Sequence, residues 1–395
     1  MQRDLQKVQD DIIADKQLIH FNNAGASLMP KPVLDAQVEH LILEAKIGGY
    51  EAARQKNKEI EAIYNSVATL INANSSEIAL VENATIGWLS AFQSISFSSG
   101  DRILTAECEY GSNYLSYLKL KETVDVSIEI IPSNLYGEVC TDALSEMIDD
   151  KVKLISITHI PTNGGLVNPI IEIGKIANKH DILYLVDACQ TAGQLAIDVK
   201  EIGCDFLSAT GRKYLRGPRG SGFLFVKKER IKDLCPPMVD VRSATWKSNT
   251  CFELRADAKR FENWENNYSA LLGLGCAIDY ALNIGLDTIS QISKSLSDKL
   301  RIQLSAIQGV EVRDIGREKC AIVSFSVKHM DAQEIVNALS KEHINVSCSK
   351  PTSTLIDANK RNLPNLVRAS LHYFNTSSQV DIFCQKLIKI INNSF

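Results

Sequence analysis

The chain has 395 residues, 45% of them hydrophobic, which is enough for a large core and exceeds one typical domain. Its net charge of -4, from 43 basic and 47 acidic residues, gives no global field for nucleic acid or an anionic membrane, and no basic block forms an arm. The expected partner is a small molecule. Ten cysteines are scattered from Cys108 to Cys384 with no C-x-x-C pair, no secretory signal opens the chain, and no apolar run reaches the roughly 20 residues of a membrane span. A reducing, cytoplasmic setting is therefore expected.

In chain order, residues 1–16 alternate charged and apolar side chains, as an exposed helix would. From 75 to 226, short β-rich runs at 78–81, 103–106, 126–131, 154–158, 182–186 and 222–226 alternate with helical patterns, the signature of an α/β layered domain. In such sheets ligands collect beyond the carboxyl ends of strands, where Thr85, the stretch 158–163 and Asp187 stand. After 266 come long helical patterns, 268–284 and 287–307, then strand-like 310–312, 321–327 and 367–371. A last helix over 377–391 opens on a serine cap. Two domains are expected: a large one over 17–265, and a small α+β one from 1–16 and 266–395.

Asp187 ends the apolar run 182–186, and Lys213 stands in Thr210-Gly211-Arg212-Lys213. A lysine amine can hold an aldehyde cofactor as a Schiff base, and a carboxylate facing a ring nitrogen keeps it protonated, making the ring an electron sink. Singly, Lys213 would be read as a surface lysine and Asp187 as a helix cap. Their surroundings shift the balance. Thr210 and Arg212 add a hydroxyl and a fixed cation suited to phosphate, and the glycines from Gly217 to Gly222 allow close backbone approach. The stretch Asn83-Ala84-Thr85 follows a strand and opens a helix, whose free N–H groups can bind an anion. Together these residues point to pyridoxal 5'-phosphate.

Four segments, Val186-Asp187-Ala188-Cys189-Gln190, Thr210-Gly211-Arg212-Lys213, Gly217-Pro218-Arg219-Gly220 and residues 367–376 around Arg368, occur in the order of a known family. From Ile19 onward the chain resembles the class V aminotransferase family of pyridoxal-phosphate enzymes. That family includes cysteine desulfurases, selenocysteine lyases, isopenicillin N epimerases and hercynylcysteine sulfoxide lyases, and the chain looks most like the last. The resemblance implies fold type I: a large α/β domain with a mixed, mostly parallel seven-stranded sheet, plus a smaller α+β C-terminal domain. It implies Lys213 as the Schiff-base lysine, Asp187 as the partner of the pyridine nitrogen and Gln190 as the contact of the ring hydroxyl. Ala84, Thr85, Thr210 and Arg212 resemble the phosphate cup, and Tyr110 falls where desulfurases stack a histidine on the ring. Thr162 and Asn163 are placed near the ring, Asn23 near the substrate, and Arg368 as the planar fork that grips its carboxylate. A homodimer with sites at the subunit boundary is implied as well, and no metal.

Two departures bear on the reaction. Desulfurases carry a nucleophilic cysteine in the loop matching 349–354, which here has none, and Cys348 is offset on a strand-like run where an inert thiol is expected. Glu262-Asn263-Trp264-Glu265 stands where desulfurases reach the neighbouring subunit's phosphate, so Trp264 and Glu265 are expected to replace that contact or to anchor an interface. The expected activity is a C–S lyase acting on a cysteine derivative or its sulfoxide, with Lys213 removing the α proton and pyruvate and ammonia as products. The alternatives are an amino-acid epimerase, with Tyr110 as a candidate second proton donor, and an aminotransferase.

Overall fold

A computed structural model describes residues 7–393. Seven strands, β1 (Ile78–Val81), β2 (Arg102–Ala106), β3 (Ser127–Ile131), β4 (Val152–Thr158), β5 (Leu183–Asp187), β6 (Phe206–Thr210) and β7 (Gly222–Val226), form one sheet in the order β1-β7-β6-β5-β4-β2-β3. Every pairing is parallel except those of β7, which runs antiparallel to β6 and β1. This is the mixed, mostly parallel α/β sheet of fold type I. Strand β6 has no counterpart among the sequence-based runs, because Phe206 and Leu207 are its only large apolar residues.

Helices cover both faces, so the central strands bury apolar residues on both sides. Ile155, Ile157, Tyr184, Val186 and Leu207 join one core with Ile173 and Ala177 of the helix Ile170–Lys179. Leu154, Leu185 and Phe206 face the other, against Trp88, Phe92 and Tyr117. The helix Tyr268–Ile284 adds Leu271, Leu274 and Ile278 to the first core, so its packing continues the large sheet beyond residue 265.

A second, antiparallel sheet contains β8 (Val310–Val312), β9 (Ile322–Val327), β10 (Ser347–Ser349) and β11 (Leu366–Ser370), in the order β8-β9-β11-β10. Its core is shared with Leu300 and Leu304 of Leu286–Ser305, Ile335 and Leu339 of Ala332–Lys341, and Phe383 and Leu387 of Ser377–Asn392. That last helix is capped by Thr376 and not by a serine. Thr376 Oγ1 accepts from the Gln379 N–H and Gln379 Oε1 accepts from the Thr376 N–H, a reciprocal capping box.

The expectation of an exposed helix over 1–16 is corrected where it can be seen. Residues 7–10 are helical and the helix then stops, with Val8 buried against Ile289, Tyr373 and Phe374; residues 1–6 lie outside the described residues. No single helix among the described residues is long and apolar enough to cross a membrane.

Candidate active site

Thr158, Asp187 and Thr210 are the last residues of β4, β5 and β6. Because these strands run parallel, they bring three polar side chains to one edge of the sheet, where the chain turns into loops and helices. A cavity of about 540 Å³ opens there, walled by Tyr110, Thr162, Asp187, Gln190, Arg212 and Lys213, with Ala84 and Thr85 also on its lining. Residues more than 100 positions apart thus share one space.

Lys213 stands in the turn just after β6. Burial pushes its amine below the usual lysine range, while the nearby Cys189 and Asp187 partly oppose that shift. Asp187 is held through both oxygens. Its Oδ1 accepts from the Cys189 backbone N–H at 2.8 Å and its Oδ2 from Asn113 Nδ2 at 3.1 Å. The Cys189 thiol, on the same cavity wall, is pushed up to about 11 by burial and is therefore protonated at neutral pH.

The helix Ala84–Gln93 begins at the cavity, capped by Asn83, whose Oδ1 accepts from the Ile86 N–H at 3.0 Å. The cap satisfies the third N–H and leaves those of Ala84 and Thr85 without intrahelical acceptors. Gly222 makes this arrangement possible: a Cβ there would stand 2.5 Å from the Ala209 carbonyl oxygen and 3.3 Å from Asn83 Cα. Arg212 donates from Nη1 to Thr210 Oγ1 at 3.1 Å, tying the cation to the end of β6.

Gln190 is buried and its Nε2 donates to the Ala24 carbonyl at 3.2 Å, but its Oε1 has no partner among the described residues. A buried amide oxygen left open on a cavity wall fits a ligand hydroxyl. The donor set as a whole fits pyridoxal phosphate: an amine for the aldehyde, a carboxylate for the ring nitrogen, an acceptor for the ring hydroxyl, and a helix N-terminus with a guanidinium for the phosphate. Tyr110, 36% exposed, presents its side chain to the same cavity.

Arg368, on β11, is joined to the cavity through Thr162, donating from Nη1 to its hydroxyl at 2.8 Å and its carbonyl at 2.9 Å, and from Nε to Ser347 Oγ at 3.1 Å. Asn23 is absent from the cavity lining. It is fully buried, donating to the Ser370 carbonyl at 2.8 Å and accepting from Ser27 Oγ at 2.9 Å, which ties the N-terminal loop to β11. Asn163 turns away to Thr354 Oγ1 at 3.0 Å. Cys348 lies on β10, off the cavity, its thiol raised by burial. Trp264 is half exposed, and Glu262 is buried on Tyr64, Arg242 and the Leu80 N–H.

Sequence reasoning passed over Glu109 and Asn113, on either side of Tyr110, which are linked to Asp187 only in the folded chain, and noted Cys189 only as part of a motif. Arg219 was noted only as part of a motif, yet it also lines the cavity.

A family model described as aminotransferase class-V matches residues 19–383. The chain is 28% identical over 390 residues to a probable cysteine desulfurase of Methanothermobacter thermautotrophicus, covering 97% of each. It is 30% identical over 398 residues to a probable cysteine desulfurase of Borreliella burgdorferi, covering 95% of this chain and 92% of the relative. Among solved structures, an apo cysteine desulfurase from Thermococcus onnurineus superposes with a TM-score of 0.92 at 26% identity, over 98% of each chain.

Proposed function

Because the chain belongs to the class-V aminotransferase family of pyridoxal-phosphate enzymes, we propose that it is a C–S lyase acting on cysteine or a cysteine derivative, including its sulfoxide. The observation that carries this reading is the Lys213 amine, its pKa lowered by burial, in one cavity with the fixed carboxylate of Asp187. The desulfurase relatives support a sulfur-bearing substrate.

When bound, pyridoxal phosphate supplies an aldehyde for the substrate amine and a ring that takes up the electron pair left as Cα loses its proton. Lys213 would hold that aldehyde, and its amine, when free, would take the Cα proton of the substrate. Asp187 would keep the ring nitrogen protonated. The N–H groups of Ala84 and Thr85, with Thr210 and Arg212, would hold the phosphate, Gln190 would accept from the ring hydroxyl, and Tyr110 would offer its aromatic ring to the cofactor. Arg368, steadied by Thr162, receives the substrate carboxylate. The Cβ–S bond would then break with its electron pair leaving on sulfur, the Lys213 amine would retake the aldehyde carbon and so free the enamine, and water would convert that enamine to pyruvate and ammonia.

A persulfide step on the enzyme is not part of this reading. The segment Pro351–Thr354 contains no cysteine and packs closely on the Gly111 backbone, and the cavity thiol of Cys189 is protonated. We also read the chain as a homodimer of two-domain subunits, with the helix Tyr268–Ile284 belonging to the large domain instead of the small one. Exposed Leu41, Ile42 and Tyr50, with Trp246 and Phe252 on the hairpin Ala244–Ser248 and Cys251–Leu254, support a self-complementary contact.

The test is incubation of cofactor-loaded protein with L-cysteine, S-substituted cysteines and their sulfoxides, assaying pyruvate, sulfur products and optical rotation. Pyruvate released with stoichiometric sulfur fragment is the expected result. Racemisation without pyruvate overturns the lyase in favour of an epimerase.

A further inference from the structure

We propose that Glu109, acting through Asn113, is a positioning residue that fixes the Asp187 carboxylate for the ring nitrogen of the cofactor; this rests on the role of Asp187 given above. Glu109 is buried at the N-terminal end of the helix Gly111–Lys121, and none of its atoms lines the cavity. Five donors converge on it. Its Oε1 accepts from the Tyr110 N–H at 2.9 Å, from Asn113 Nδ2 at 2.8 Å and from Thr158 Oγ1 at 2.5 Å. Its Oε2 accepts from Thr105 Oγ1 at 3.0 Å and from the Thr158 N–H at 3.1 Å. Strands β2 and β4 and the helix thus grip one carboxylate.

The second hydrogen of the Asn113 amide goes to Asp187 Oδ2 at 3.1 Å. With both hydrogens committed, the amide cannot rotate without losing a buried bond, and it carries the rigidity of Glu109 to Asp187. The Cys189 N–H holds the other Asp187 oxygen, so the carboxylate has one orientation toward the cavity. The buried Lys213 amine is near enough to Asp187 to feel its charge, and Glu109 is met by neutral donors alone among its hydrogen bonds. Burial, with Asp187 nearby, raises the Glu109 pKa, so the site holds negative charge at a cost that a protonated ring nitrogen facing Asp187 would offset. The pair therefore favours the protonated ring.

The experiment is titration of cofactor-free protein with pyridoxal phosphate, reading the dissociation constant and the visible absorption and circular-dichroism band of the bound cofactor. The variants are Asp187→Asn, Glu109→Gln, Asn113→Ala and the double variant Glu109→Gln with Asp187→Asn. Glu109→Gln and Asn113→Ala each weaken binding about tenfold and move the band in the direction of Asp187→Asn. The double variant binds no more weakly than Asp187→Asn alone, because the two residues act as one unit. Wild-type affinity and band in both Glu109→Gln and Asn113→Ala, or additive losses in the double variant, overturn the proposal. Unchanged binding and band in Asp187→Asn instead overturn the role of Asp187 itself. If Glu109→Gln does not fold, Asn113→Ala decides, since it leaves four of the five Glu109 donors in place.

Discussion

Arg368 donates through one nitrogen to both the hydroxyl and the carbonyl of Thr162, a residue 206 positions away in the chain. The bond set orients the guanidinium from the turn that follows β4 of the large sheet, while its Cα belongs to the small sheet. Thr162→Val keeps the shape and removes one charge-assisted acceptor. Steady-state kinetics should show KM raised roughly five- to tenfold with kcat little changed, since ground-state grip on the carboxylate is what is lost. Arg368→Lys should lose more, because a point charge cannot form the bidentate contact.

Lys213→Ala removes both the anchor and the base. The rate of pyruvate formation should fall by about 10²- to 10⁴-fold, and borohydride should no longer fix the cofactor to the protein. A variant that stays reducibly labelled would move the lysine assignment elsewhere.

Cys189→Ala and Cys348→Ala, singly and together, should leave pyruvate formation intact. The first thiol sits at about 11 and the second is raised by burial, so neither is a ready nucleophile. Iodoacetamide should modify exposed Cys235 well before either, read by mass spectrometry.

His159 is buried with its Nδ1 at 2.9 Å from Thr191 Oγ1, and burial lowers its pKa from 6.5 to about 4. Between those values the unfolded chain binds the proton and the folded chain does not, so stability is full above pH 6.5 and is lost as pH falls toward 4. At pH 5 this group accounts for about 2 kcal/mol of lost stability. His20 and His372 are lowered by burial as well and act in the same direction. Urea midpoints at pH 7 and 5 should diverge less in His159→Asn than in the wild type.

Arg216 is buried at a φ of 60°, donating to the Leu28 carbonyl at 2.9 Å and to Tyr373 Oη at 2.8 Å, with its guanidinium 4.3 Å from the Phe374 ring centroid. Arg216→Ala should destabilise by about 3 kcal/mol through the cavity and the lost bonds. Arg216→Gly should be about 1 kcal/mol more stable than Arg216→Ala, because glycine adopts that left-handed backbone without strain. Chemical denaturation of both variants checks the pair.

Much of the fold was legible because buried parallel strands are short apolar runs that stand out against the helices between them. Strands β1 and β7 and the helix Tyr268–Ile284 match the sequence patterns residue for residue, whereas β6, diluted by Ser208 and Thr210, left no clear signal. The N-terminal helix misled because alternating charge describes a surface, while Val8 finds its partners in Ile289, Tyr373 and Phe374, all far along the chain.

The sequence by itself determined the chemistry available: an amine, a carboxylate, an open helix N-terminus and a guanidinium, in the order that a pyridoxal-phosphate site requires. Those choices are readable because covalent and charge chemistry admit few residue types. Tertiary structure alone decided how the groups are held. It gave Asn23 to the Ser370 carbonyl, joined Arg368 to Thr162, and linked Glu109 to Asp187 through one amide. Each of those bonds depends on a few tenths of an ångström between segments far apart in the chain, and no local pattern encodes such a distance.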